Sequence, residues 1–77
     1  MNHVDIADAW RQKNQEHADS GVVLIWGGEV YGWKNLLRDA SHERPGAIAV
    51  DTAGHVFIAE GRNDSDHAKC WVVFEES

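Results

Sequence analysis

Cysteine is nearly missing from this chain of 77 residues: Cys70 stands alone. A lone cysteine excludes an intrachain disulfide, and with it the stapled scaffolds of small secreted domains. Proline is as scarce, with Pro45 the single example, and Pro45-Gly46 marks a turn. There is no internal repeat and no low-complexity segment. No apolar run approaches the ~20 residues that span a bilayer. The opening Met-Asn-His-Val-Asp lacks the basic and apolar regions of a signal peptide. A cytoplasmic protein with no membrane contact is therefore expected. Basic residues are few as well. Seven Lys and Arg face 13 Asp and Glu, for a formal charge of −6. Direct nucleic-acid binding needs a basic surface, so it is disfavoured; an acidic surface favours basic partners.

The usual catalytic signatures are also lacking. No Gly-x-Ser-x-Gly is present, and Ser20, Ser41, Ser65 and Ser77 fall in polar turns, loops or the tail. The glycines are not followed by Lys-Ser/Thr, so there is no phosphate loop. His67 and Cys70 have ligand-like spacing, but no second Cys/His pair completes a tetrahedral set. Asn63, Asp64, Ser65 and Asp66 resemble the start of a calcium loop, yet Lys69 takes the place where its glycine belongs. Cys70 reads as a buried thiol on a strand, and His3, His17, His42 and His55 as surface or turn residues. No catalytic residue, metal ligand or cofactor site is assigned, and a non-enzymatic protein is expected.

What is present is a strong hairpin signal from Gly21 to Trp33. An apolar run, Val22 to Trp26, meets Gly27-Gly28 and then a second run. A Gly-Gly loop suits a type I′ turn, whose central residues both need φ > 0. That turn sets Trp26 opposite Glu29, Leu24 opposite Tyr31 and Val22 opposite Trp33. By alternation, Val22, Leu24, Trp26, Tyr31 and Trp33 share one face, and Val23, Ile25 and Val30 the other. Both faces are apolar.

The rest of the chain supplies one helix and three more strands. Asn2 to about Ala18 reads as a helix capped by Asn2, with Asp5 and Asp8 at its positive end. Its stripe is Ile6, Trp10, Lys13 and His17, with Ala7, Ala9 and Ala18 nearby. Gly21 suits the left-handed residue that ends it. Lys34 to Arg44 is a polar connection held by Leu36 and Leu37, and 33–40 fits a short helix or a loop. Gly46 to Val50 and His55 to Glu60 form a second hairpin, with Gly54 left-handed in its turn. Ile48, Val50, Val56 and Ile58 line one face; Ala47, Ala49, Phe57 and Ala59 line the other. Gly61 to Ala68 is a polar loop, and Lys69 to Glu75 a last strand.

The expected fold is one α+β domain over residues 1–77: an N-terminal helix on an antiparallel sheet of about five strands. Consecutive hairpins favour a meander, although the long connection permits another strand order. Small alanines would admit the helix on the aromatic side. The opposite choice leaves Trp26, Tyr31, Trp33 and Trp71 partly exposed. Either way an apolar patch should remain as an interaction site.

Candidate partner-binding residues follow from charge and aromaticity. The aromatic set contributes Trp26, Tyr31 and Trp33, with Glu29 at the turn, since Trp and Tyr are favoured at interface hot spots. The acidic set contributes Asp5, Asp8, Glu16 and Asp19 on the helix and Asp64 and Asp66 in the loop. Lys34, Arg38, His42 and Arg44 make a small basic counter-patch, suited to a charged dimer contact.

Short, acidic and without a catalytic set, the chain resembles in general build the anti-CRISPR and antirestriction inhibitors of phages and mobile elements. The resemblance is one of type, and no residue is carried over from it. It implies a protein that inhibits a nucleic-acid-processing defence complex, such as CRISPR-Cas, by occluding a basic groove. The alternative is a homodimeric interaction module whose spare sheet face meets its own copy. A third reading is a small enzyme or ligand binder with a pocket beside Trp33, His42 and Arg44.

Overall fold

The computed structural model describes residues 2–37, 43–61 and 70–74. Asn2 opens the helix as expected. Its side-chain oxygen accepts the Asp5 N–H at 2.9 Å, and α1 runs over His3–Lys13. Asn14 ends it early. The Asn14 amide donates to the Trp10 carbonyl at 2.8 Å, a local bond that competes with helical continuation. A 3-10 turn over Gln15–His17 follows, so the helix expected to reach Ala18 stops at Lys13. Lys13 is exposed, and the expected stripe is replaced by one that buries Ala7 and Arg11. Gly21 has φ +72°, the left-handed residue anticipated there.

Five strands follow: β1 (Val22–Trp26), β2 (Glu29–Lys34), β3 (Ile48–Val50), β4 (Val56–Glu60) and β5 (Cys70–Val73). Gly27 and Gly28 both have positive φ, as a type I′ turn requires, and Trp26 pairs with Glu29. The register then departs from simple alternation. Ile25 pairs with Val30 but Leu24 pairs with Gly32, leaving Tyr31 as the extra residue of a bulge. Beyond the bulge Val23 pairs with Trp33 and Val22 with Lys34, which corrects the expected Leu24–Tyr31 and Val22–Trp33 pairs. The bulge transfers Trp33 to the face of Val23 and Ile25, away from Trp26.

The strand order is β2-β1-β3-β4-β5, and every neighbouring pair is antiparallel. The order is not a meander: β1 lies between β2 and β3, and the connection after β2 returns the chain past β1. Val22 to Ile25 are accordingly buried on both faces of the sheet. The second hairpin has the expected pairing, Ile48 with Ile58, Ala49 with Phe57 and Val50 with Val56.

Helix α1 covers the aliphatic face, not the alanine-rich one. Its fully buried Ala7 packs with Val23, Ile25, Ile48, Val50 and Val56, while Val4, Ile6, Trp10, Trp33, Ile58 and Phe74 close the margins. The small residue that permits close approach is thus on the helix. Fully burying Val23 or Ile25 contributes ~1.5–3 kcal/mol each by area. On the opposite face Val22, Leu24, Ala47, Ala49 and Ala59 are buried too, with Trp71 packed against them. The surplus apolar surface is therefore smaller than expected. Trp26, Tyr31, Leu36, Leu37 and Val73 are its exposed large members. Cys70 is exposed on edge strand β5, not buried.

Asn35 and Leu36 form a bend directly after β2. Residues 38–42 with Arg38 and His42, and residues 62–69 with Asp64, Asp66 and His67, lie outside the described residues. Among the described residues no helix is long and apolar enough to cross a membrane.

Candidate functional site

The bulge decides where Tyr31 goes. Its phenol O–H donates to Glu43 Oε1 at 2.6 Å, and Lys34 Nζ donates to Glu43 Oε2 at 2.5 Å. Glu43 is buried, so the two donors satisfy a carboxylate that would otherwise be costly to remove from water. Burial, the hydrogen bond to Glu43 and the Glu43 charge, in that order, raise the Tyr31 phenol well above its ordinary value. This node clamps the returning connection onto β2.

Next in the chain, Arg44 places its guanidinium over the Trp26 ring, 4.2 Å from the centroid. Gly46 has φ +94°, and a Cβ there would come within 2.9 Å of the Trp26 ring. The indole therefore lies between a cation and bare backbone, which fixes its position. A cleft of about 490 Å³ opens beside it, lined by Trp26, Glu29, Val30, Tyr31, Glu43 and Arg44. Trp26 is 39% exposed and Tyr31 48%. The Glu43 carboxylate is engaged, but the side chains of Glu29 and Arg44 hold no hydrogen bond or ion pair within the described residues. The cleft thus offers one open anion, Glu29, and one open cation, Arg44, beside an aromatic ring.

Trp33 is engaged elsewhere. Its indole N–H donates to the Ser20 carbonyl at 2.9 Å, and its ring stacks on His17 at 3.9 Å, with Trp10 beyond at 5.9 Å from His17. His17 is a packed ring between two tryptophans and not a surface residue. Arg44 meets Trp26 and not Trp33, so the pocket expected beside Trp33 and Arg44 is not formed by that pair.

Asp5, Asp8, Glu16 and Asp19 are all exposed, and within the described residues none is ion-paired. They sit on α1 and the segment after it, across the sheet from Trp26. The acidic set and the aromatic set are consequently two surfaces, not one.

A second groove, of about 520 Å³, is lined by Asn2, Val4, Gly54, His55, Val56, Phe57, Val73 and Phe74. At its rim His55 Nδ1 lies 3.0 Å from Asp51 Oδ2. Burial pushes the Asp51 carboxyl up, but hydrogen bonds from the His55 N–H and ring and from the Ala53 N–H outweigh it and hold the group below its ordinary value. These bonds shape the β3–β4 turn, and no nucleophile among the described residues is hydrogen-bonded to the imidazole. Among the described residues no group of three His, Cys, Asp or Glu side chains stands ready to hold a metal ion.

Sequence reasoning identified Trp26, Glu29 and Tyr31 but missed Glu43 and Gly46. Nothing in His42-Glu43-Arg44 marks its middle residue as buried. Gly46 was legible as a turn residue only; its contact with Trp26 is a tertiary fact. Compared with known protein families, curated proteins and solved structures, the chain matches none.

Proposed function

We propose that this chain is a non-enzymatic protein-binding inhibitor or modulator that docks through the Trp26–Tyr31 cleft. The observation that carries the reading is the pair of half-exposed aromatics at one cleft, in a sheet whose other apolar residues are largely covered. Trp26 is held by Arg44 and Tyr31 by Glu43, and Trp and Tyr are favoured interface anchors. The partner class we propose is a basic nucleic-acid-processing complex, such as a CRISPR-Cas-type defence complex. The formal charge of −6 and the open carboxylates Asp5, Asp8, Glu16 and Asp19 support a basic partner. Occlusion of its nucleic-acid groove is the proposed mode.

The test is capture from the native host's lysate at low and high salt, with Trp26→Ala run beside the parent chain. A basic nucleic-acid-binding complex that is retained by the parent and lost by Trp26→Ala supports the cleft. Retention by Trp26→Ala moves the contact away from it. The runner-up, a homodimeric module, is favoured by one observation: Val73 is 69% exposed on edge strand β5. Light scattering separates the two, since a monomer at micromolar concentration excludes the homodimer.

A further inference from the structure

We infer that the Trp26 cleft recognises a carboxylate side chain of the partner, received by Arg44, with a neighbouring basic residue of the partner received by Glu29. The inference rests on the protein-binding reading above and names the chemistry that the cleft accepts. A guanidinium over a ring is held by its charge and its face, which uses none of its N–H donors. The Arg44 side chain makes no hydrogen bond within the described residues, so its planar fork is positioned and open. A pre-positioned fork loses less entropy on binding, and a carboxylate matches it with two parallel hydrogen bonds.

The neighbouring charges select among anions. Glu43 is adjacent in sequence, but its two oxygens are taken by Tyr31 and Lys34 and it does not compete for Arg44. Glu29 lines the same cleft with a carboxylate that has no partner among the described residues. A phosphate dianion or a nucleic-acid strand would meet Glu29 and the overall charge of −6, and both repel it. A purely apolar guest would have to displace Arg44 from the Trp26 face. An acidic residue followed by a basic one satisfies both open charges and still permits a partner that is basic overall.

The probe is acetyl-Glu-Lys-amide, titrated into the full chain labelled with nitrogen-15, at fixed ionic strength. Acetyl-Gln-Lys-amide and inorganic phosphate are run in parallel. The indole N–H of Trp26 and the Nε–H of Arg44 report on the cleft, and the remaining spectrum reports on the fold. The Glu-Lys probe should shift both signals saturably, with roughly millimolar affinity for so small a ligand. The Gln-Lys probe should bind about tenfold more weakly, the effect of losing a charge-assisted pair. Arg44→Lys keeps the charge but loses the fork, and should weaken the Glu-Lys probe by a similar factor. Glu29→Gln should narrow the gap between the Glu-Lys probe and phosphate. Tighter binding of phosphate than of the probe overturns the inference. So does an unchanged titration in Arg44→Lys, or the lack of any shift at the two signals. If Arg44→Lys still captures the partner while Trp26→Ala does not, the docking reading stands and the carboxylate contact falls.

Discussion

Arg11 is buried, and among the described residues no carboxylate pairs with it. Its guanidinium donates instead to four backbone carbonyls: His17 at 2.5 Å, Ser20 at 2.8 Å, Gly21 at 3.0 Å and Val50 at 3.3 Å. The first three belong to the chain leaving α1 and the last to β3, so one side chain fastens the helix exit to the sheet. The planar fork of arginine suits several acceptors at once, whereas an ammonium is a point charge. Arg11→Met should therefore lower unfolding stability by about 3 kcal/mol in urea titrations, because the carbonyls lose a charged donor and stay buried. Arg11→Lys should recover less than half of that loss. Tyr31 gives a pH-dependent counterpart. Its phenol is raised in the folded state, so its contribution is complete below the unfolded value near ~10 and is lost as pH rises from there toward the folded one. Stability measured from pH 8 to 11 should fall less steeply in Tyr31→Phe than in the parent chain. At neutral pH the variant should be weaker by about 1 kcal/mol, since Glu43 keeps Lys34 alone.

Elements show how far alternation can be trusted. The turn at Gly27-Gly28 and the cap at Asn2 were legible because each is a local requirement of one residue type. The bulge was not read, although Gly32 inside a strand is a signal for one. One extra residue then moved Trp33 to the other face and turned Tyr31 toward Glu43. The end of α1 was missed because Asn14 and Arg11 compete there for backbone groups, a contest that apolar periodicity does not record. Glycines separate local from tertiary demands in a way that melting experiments can measure. Gly28 has φ +82° with open space around it, so Gly28→Ala should cost only the left-handed penalty of about 1–2 kcal/mol. At Gly21 an added methyl would also overlap the Lys34 carbonyl oxygen and the Trp33 ring. Gly21→Ala should cost about 3 kcal/mol or more, because strand and ring must both move.

At the scale of the whole molecule, the strand order follows from a run that is apolar without interruption. Val22 to Ile25 cannot lie at an edge without exposing one apolar face, so β1 takes the centre and the connection after β2 must return past it. That return brings Glu43, Arg44 and Gly46 to the hairpin end and builds the cleft from residues that no short motif unites. The candidate site was therefore half legible: its aromatic residues stood in one hairpin, and its charged wall came from topology. The same topology leaves α1 and its carboxylates on the other side of the sheet, so in the proposed mode they would act through their field and not as part of the cleft. Reversing Asp5, Asp8, Glu16 and Asp19 to lysine changes the charge by two units each, from −6 to +2. All four are exposed, so the fold should survive with a loss of about 1 kcal/mol, mainly from the helix dipole at Asp5 in the first turn. Association with a basic partner should slow by at least about tenfold at low salt, while dissociation changes little. Raising the salt to ~0.5 M should shrink the difference, because screening acts on exposed charges beyond the contact. An association rate indifferent to the four reversals at low salt would leave the cleft as the sole determinant and remove the helix from the proposed mode of occlusion.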